Sequence, residues 1–336
     1  MKKVLFLTNI PSPYRVEFFN QLGLLVDLTV VFEYEKSNDR NDNWYSRNYE
    51  NFKAINLNND SLINIVDKSF DIVFNCDYST KYGVLLNFIC KIRKIKIIIE
   101  ADGGIPIKRN FLVEFTIRRL MRMFDYCFSS SIYTNDYYNY YGIKDNIIQY
   151  HFSSLTIDEI EKHKRIDHSG FNIISVGQMI HRKGFDLLLE ATKNLDCNVT
   201  IIGGVPDQKL KSINKNAHFI DFVSKEELNK FYANSDLFVL ASREEIWGLV
   251  LNEAISFELP IISSDNCIAG KEFINNYNCG LIFENENFDD LNKKIKTIIS
   301  NKKLYNEFVS NCKMVNRDFN IERMVEEHYA FINSIC

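Results

Sequence analysis

The sequence predicts an α/β protein built from two doubly wound, Rossmann-like domains. Short apolar runs alternate with amphipathic helical stretches, and the alternation starts again after a charged stretch near the middle of the chain. The length, 336 residues, exceeds what one core usually holds. In the first half the runs at 4–7, 27–32, 71–74, 96–99, 126–129 and 147–150 read as strands, with helical patterns at 14–22, 84–92, 111–123 and 136–141. In the second half the strands fall at 173–177, 198–202, 217–222, 237–240 and 260–263. The segment TIDEIEKHKRIDHSG is strongly charged and ends in a turn signal. It divides the chain into a first domain at 1–155, a linker at 156–170 and a second domain at 171–318, with a helix at 319–336 expected to cross back to the first domain. Two such domains are expected to face each other and bind ligands between the carboxyl ends of their strands.

Composition excludes several functions. Hydrophobic residues make up 46%, charged residues 25%, and there are 5 prolines, as in an ordered globular protein. The formal net charge of −4 gives no reason to expect a nucleic-acid partner. The 8 cysteines are scattered and form no C-x-x-C pair, which favours reduced, cytosolic thiols over disulfides or a zinc site. The apolar run after Met1-Lys2-Lys3 is too short for a signal peptide, and no run approaches the roughly 20 residues of a membrane span. The expected location is the cytoplasm, with any membrane contact peripheral.

The most informative stretch is 241–264, ASREEIWGLVLNEAISFELPIISS. The run before it reads as a buried strand and 248–257 as a helix, so Glu245 falls in the strand-to-helix turn and Glu253 on the helix. Eight helical positions advance about 800° and about 12 Å. That span suits a nucleotide sugar, with one acid at the sugar, the other near the ribose, and a helix N-terminus to receive phosphates.

These residues resemble a retaining glycosyltransferase of the GT-B fold, close to family four of the sequence-based classification. Residues 245–254, EIWGLVLNEA, match that family's E-x7-E element. Val176-Gly177-Gln178 with Arg182-Lys183-Gly184-Phe185-Asp186 resemble its phosphate-binding element, and Leu259-Pro260-Ile261-Ile262 resemble the strand that follows. The resemblance implies that Glu245 contacts donor-sugar hydroxyls and stabilises a developing oxocarbenium ion, while Glu253 holds the ribose. Charge on the departing diphosphate would be met by Lys183, by the forked donors of Arg182 and by the amides of Gly248, Leu249 and Val250. Gly203-Gly204 resembles the family's second glycine turn. No D-x-D pair suggests a metal, and no cofactor is expected, the nucleotide sugar (UDP- or GDP-linked) being a substrate. One departure is Gln178, an amide where the family often has arginine.

The first domain is less typical. Asn9-Ile10-Pro11-Ser12-Pro13-Tyr14-Arg15 replaces the usual glycine-rich loop and resembles a subgroup of bacterial polysaccharide-assembly transferases. Pro13 suits a helix start, which leaves Tyr14 and Arg15 as acceptor-binding candidates; pairing of Arg15 with Glu17 or Glu33 is the competing reading. Asp102 stands near where many relatives carry a histidine and is the candidate for contacting or deprotonating the acceptor hydroxyl; its competing role is to cap a turn. His151 and His181 read as structural histidines.

From 91 to 122, Lys91, Arg93, Lys94, Lys96, Lys108, Arg109, Arg118, Arg119 and Arg122 stand against Glu100, Asp102 and Glu114, a local charge of +6. Such a segment suits either a solvated face or peripheral contact with anionic lipid at the inner face of the plasma membrane, where a lipid-linked saccharide acceptor would reach the site. The expected activity is transfer of a sugar to a glycan or lipid-linked acceptor in surface polysaccharide (capsule, O-antigen or similar) biosynthesis. A nucleotide-sugar 2-epimerase and a non-catalytic glycan-binding subunit remain as alternatives. A nicotinamide dehydrogenase is disfavoured, because no G-x-G-x-x-G follows the first strand.

Overall fold

A computed structural model of the chain describes residues 1–36, 45–57, 61–101, 104, 106 and 108–335. It forms two compact units: unit 1 comprises Met1–Ser154 and Asn320–Cys336, and unit 2 comprises Leu155–Phe319. Each is a doubly wound parallel α/β domain.

The described strands of unit 1 are β1 (Lys3–Thr8), β2 (Asp27–Phe32), β3 (Lys53–Asn56), β4 (Ile72–Asn75), β5 (Lys96–Ala101), β6 (Tyr126–Ser129) and β7 (Ile147–Gln149). They form one sheet in the order β3-β2-β1-β4-β5-β6-β7, and every pairing is parallel. A parallel sheet is covered by helices on both faces, so its central strands read as unbroken apolar runs. Val4, Leu5, Phe6 and Leu7 of β1 are accordingly all fully buried. The chain winds outward from β1 through β2 to β3, then returns to place β4 on the other side of β1. The carboxyl ends of β1 and β4 are therefore the switch point of this sheet.

Unit 2 repeats the plan with β8 (Asn172–Val176), β9 (Asn198–Ile202), β10 (Ala217–Ile220), β11 (Leu237–Leu240), β12 (Ile261–Ser264) and β13 (Gly280–Phe283), in the order β10-β9-β8-β11-β12-β13. Its switch point lies between β8 and β11. The two strands not anticipated from sequence, β3 and β13, are both edge strands of four residues. KAIN carries little of the apolar signal that marks the central runs, and GLIF is a short run opened by a glycine.

Helix Pro13–Gly23 begins as its sequence dictates, with Ser12 in extended conformation and Pro13 in the first turn. It buries Val16, Phe18, Phe19 and Leu22 and packs against helix Ile321–Ile335, which belongs to unit 1. Arg15, the acceptor-binding candidate on this helix, turns into the core of unit 1. It is only 6% exposed, and neither Glu17 nor Glu33 is its partner. Its Nη1 donates to Glu100 Oε1 on β5 at 2.6 Å, and Nη2 to Cys76 Sγ at 3.3 Å. The guanidinium lies over the rings of Phe18 and Phe19, 5.2 and 4.8 Å from their centroids. The side chain turns inward because Glu100 is itself buried and an unpaired carboxylate there would be far costlier than the pair.

His328 of the C-terminal helix completes the group, its Nε2 3.4 Å from Glu100 Oε2 and its Nδ1–H donating to Met324 O at 2.7 Å. Burial alone would raise the Glu100 carboxyl, but Arg15 and His328 outweigh it and hold the group at about 2. His151 is structural as well: its backbone N–H and Nδ1 meet the two oxygens of Glu327 at 2.8 and 2.7 Å, tying the chain after β7 to the same helix.

Breaking the buried pair from one side, by Arg15→Met or Glu100→Gln, is expected to cost about 3–5 kcal/mol, and replacing both residues by apolar ones to recover much of it. Urea midpoints of the three variants check this. Glu100 is lowered in the folded state, so its contribution is full above its ordinary value of 4.5 and is lost as pH falls toward about 2. The wild type should lose stability across that window, and Glu100→Gln should follow a flatter curve.

Candidate active site

At the switch point of unit 2 the backbone segments approach so closely that only glycine fits. Gly203, which follows β9, has φ +127°, and a Cβ there would lie 2.3 Å from the carbonyl oxygen of Gly177, which follows β8. Gly184 has φ +65°, and its Cβ would lie 1.9 Å from the carbonyl oxygen of Ala241, which follows β11. These contacts draw the ends of β8, β9 and β11 together.

Between Gly177 and Gly184 the chain makes a short 3-10 turn, His181–Lys183, before helix Phe185–Thr192. The aliphatic stem of Lys183 lies over Gly177: a Cβ on that glycine would be 3.2 Å from Lys183 Cε. Its ammonium pairs with Glu245 Oε2. Arg182 Nη1 reaches the same oxygen at 3.3 Å and donates to Glu244 O at 2.8 Å. Ser242 Oγ approaches Glu245 Oε2 at 3.4 Å. Lys183 and Glu245 are mostly buried, with side chains 12% and 13% exposed, whereas Arg182 is open at 43%. Arg182 and Lys183 thus converge on one carboxylate oxygen of Glu245.

Glu245 falls in the strand-to-helix connection, where the sequence reading puts it. It lies five residues ahead of helix Val250–Ser256, which begins two residues later than expected. Its backbone runs beside Cys267 in an isolated parallel bridge, with Glu245 N–H donating to Asn266 O at 3.2 Å. The helical spacing of about 800° therefore does not describe the pair Glu245 and Glu253. Gly248, at φ +82°, makes the bend between loop and helix; a Cβ there would come 3.1 Å from Glu245 Cγ. The amides of Gly248, Leu249 and Val250 lie in this bend and the opening of the helix. Trp247 is buried and donates from Nε1 to Asn252 Oδ1 at 2.9 Å, which pins the loop to the helix.

Glu253 has other company. Its Oε2 accepts from Tyr232 at 2.9 Å, and Tyr232 stacks on Phe257 at 5.5 Å. Burial raises the Glu253 carboxyl above its ordinary value, although the Tyr232 bond opposes the shift. Among the described hydrogen bonds Glu245 and Glu253 share no partner. His181, expected to be structural, has an exposed side chain, and its contribution is its carbonyl oxygen.

Sequence reasoning passed over Arg243, Asp186 and Tyr232. Arg243 bonds Asp186 through both η nitrogens at 2.8 and 2.7 Å, and Nη1 also donates to His181 O at 2.7 Å. An arginine directly before the two glutamates and an aspartate in a helix's first turn were the available signals.

In unit 1, Tyr14 is half-buried, with its ring edge-on to Phe152 at 5.9 Å. Asp102 lies outside the described residues. Of the basic stretch, Lys91 and Arg93 lie on helix Lys81–Arg93, Lys96 on β5, Arg118 and Arg119 on helix Phe111–Met121, and the rest in the connections beside them. Lys91 is bound to Asp125 at 2.7 Å. In the second helix only Met121 is buried, and Phe111, Leu112 and Phe115 are exposed beside Arg119, whose guanidinium lies 5.3 Å from the Phe115 ring.

Comparison with known proteins places this geometry in context. Residues 156–314 match the model of a family described as Glycosyl transferases group 1. An uncharacterized glycosyltransferase of Haemophilus influenzae is 31% identical over 166 residues, 46% of this chain and 47% of that protein. A Campylobacter jejuni α-1,4-N-acetyl-D-galactosaminyltransferase, named for a diNAcBac-PP-undecaprenol-linked glycan, is 26% identical over 174 residues, 48% of each chain. The capsular polysaccharide biosynthesis glycosyltransferase CapM of Staphylococcus aureus is 26% identical over 204 residues, 56% of this chain and 53% of that one. The chain spans about half the length of the curated relatives it matches. Among solved structures, Anabaena HepE in complex with UDP superimposes with a TM-score of 0.78 at 11% identity, covering 99% of this chain and 100% of that one, a likeness of fold. Residues 156–314, nearly all of the second unit, accordingly resemble the glycosyl transferases group 1 family, in a chain with the two parallel α/β domains of the GT-B fold.

Proposed function

We propose that this protein transfers a sugar from a UDP- or GDP-linked donor, with retention of anomeric configuration, to a glycan or lipid-linked saccharide acceptor during assembly of a surface polysaccharide. The observation that carries this reading is the convergence of Lys183, Arg182 and Glu245 at the switch point of unit 2, within the residues that match the family model. An open α/β sheet binds its ligand at that position. The names of the Campylobacter and Staphylococcus relatives support the acceptor class.

In this reading the donor diphosphate competes with Glu245 for Lys183 and Arg182. As the bond from the anomeric carbon to the β-phosphate oxygen lengthens, the electron pair goes to that oxygen and the two cations neutralise the charge as it grows; the acceptor hydroxyl oxygen bonds the anomeric carbon on the same face, and its proton passes to the departing phosphate oxygen. Released from them, the Glu245 carboxylate takes donor-sugar hydroxyls and stabilises positive charge on the sugar ring. The positive charge that neutralises the diphosphate comes from side chains, so the reaction is metal-independent and the nucleotide sugar serves as substrate rather than cofactor. Glu253 holds the ribose in place of, or together with, its bond to Tyr232. Unit 1 recruits the acceptor through Tyr14 and Asp102.

Helix Phe111–Met121 leaves Phe111, Leu112 and Phe115 exposed beside Arg118 and Arg119. No described helix is long and apolar enough to cross a membrane. The proposed location is the cytoplasm, with this helix resting on the anionic inner face of the plasma membrane, where a lipid-linked acceptor is available.

Lys183→Ala and Glu245→Gln are each expected to lower kcat/KM by about 100-fold or more, with melting temperatures close to the wild type's. Turnover is measured on a panel of UDP- and GDP-sugars with lipid-linked acceptors, and the product's anomeric configuration is read by NMR. Unchanged turnover in both variants would sink the assigned site; release of a 2-epimer without any acceptor would replace transfer by epimerisation. For the membrane contact, co-sedimentation with phosphatidylglycerol vesicles should fall about tenfold or more when Phe111 and Phe115 are both replaced by serine, and should weaken with salt. Equal sedimentation of wild type and variant would remove that helix as the contact.

A further inference from the structure

We infer that Arg243 is a positioning residue for the donor diphosphate, acting by clamping the His181–Lys183 turn in the place where its two cations meet Glu245. The inference rests on the donor reading above and adds to it a residue that the E-x7-E element and the lysine turn do not include.

A 3-10 turn of three residues has little stability of its own. Here it is fastened from outside, by the chain that follows β11. Arg243 Nη1 donates to His181 O at 2.7 Å, and Arg243 backbone N–H donates to Arg182 O at 2.8 Å. Both η nitrogens grip the Asp186 carboxylate, in the first turn of the helix after Gly184, at 2.8 and 2.7 Å. Nε donates to Glu286 Oε1 at 2.7 Å. The side chain is 12% exposed, and four of its five N–H groups are used: one on Nε, two on Nη1 and one on Nη2. The Arg243 loop is anchored in turn, its carbonyl accepting from Asn266 Nδ2 at 2.7 Å.

The consequence follows from the register of these bonds. Arg243 holds residues 181 and 182, Arg182 bonds the carbonyl of 244, and Lys183 bonds the carboxylate of 245. The two segments are zipped residue by residue, and Arg243 supplies the links that do not involve the cations themselves. When a diphosphate takes Lys183 and Arg182 away from Glu245, the Arg243 bonds are what still hold the turn. Without them the cations lose their fixed position, and a displacement of about 1 Å at such a site is costly. A lysine at 243 keeps the charge but cannot form the fork to Asp186 while also reaching the His181 carbonyl.

The test measures binding of nucleoside diphosphate against monophosphate by titration calorimetry, using UDP and UMP together with GDP and GMP, on wild type, Arg243→Met, Arg243→Lys, Asp186→Asn and Lys183→Ala. For the base that the wild type binds, Arg243→Lys and Arg243→Met should weaken the diphosphate at least tenfold while changing the monophosphate less than twofold, and Asp186→Asn should shift the same ratio in the same direction. A merely structural role would weaken both nucleotides alike, and that result, or an unchanged ratio, overturns the inference. If Arg243→Met fails to fold, Arg243→Lys and Asp186→Asn carry the test. Lys183→Ala separates the two levels: if it removes the diphosphate preference and the Arg243 variants do not, the clamp is wrong and the donor site stands. If Lys183→Ala leaves the preference intact, the donor reading fails and takes the clamp with it.

Discussion

The organisation of unit 2 depends on how closely its backbone segments can approach at the ends of β8, β9 and β11. Gly203 against Gly177 and Gly184 against Ala241 are contacts in which a single methyl group would overlap a carbonyl oxygen. Because no side chain intervenes, the turn after β8 lies directly on the loop after β11, and Lys183 reaches Glu245 with its stem along Gly177. Wider spacing of the strand ends would leave the lysine and the glutamate as separate surface charges, for which pairing contributes little. Held together and mostly out of water, they interact more strongly than an exposed pair would.

Unit 1 solves a different problem with similar chemistry. Its core is rich in phenylalanine, with Phe6 stacked on Phe74 and Phe18 and Phe128 packed on His328. Apolar packing of this kind is tolerant of register, since one ring substitutes readily for another. The Arg15, Glu100 and His328 group is not tolerant: its charges are satisfied only when the first helix, β5 and the C-terminal helix are in register. A chain segment more than 200 positions distant in sequence from Glu100 is thereby tied to the first sheet, and the bonds from His151 to Glu327 reinforce the tie.

The parts of the fold legible in the sequence were those that burial writes into composition. Central parallel strands are covered on both sides and must be apolar throughout, so β1, β2, β9 and β11 stood out as runs. Strands β3 and β13 were passed over because KAIN has few apolar residues and GLIF is a four-residue run opened by a glycine. At the site, Glu245 and Lys183 were legible as a motif, since short-range spacing within each loop is a property of the chain. Tyr232, Arg243 and Asp186 were not, because each acts on a residue from another segment.

The sequence by itself determined the two-domain α/β plan, the order of its strands along the chain and which loops carry the charged residues. Periodicity, glycine placement and local motifs are short-range properties, and a reader of the chain has them in full. Only the tertiary structure decided which charges meet. It turned Arg15 inward to Glu100, set Glu245 against Lys183, and left Glu253 with Tyr232. Those pairings turn on distances of about 3 Å between segments far apart in sequence, and such distances are set by how helices and strand ends pack, which no single segment encodes.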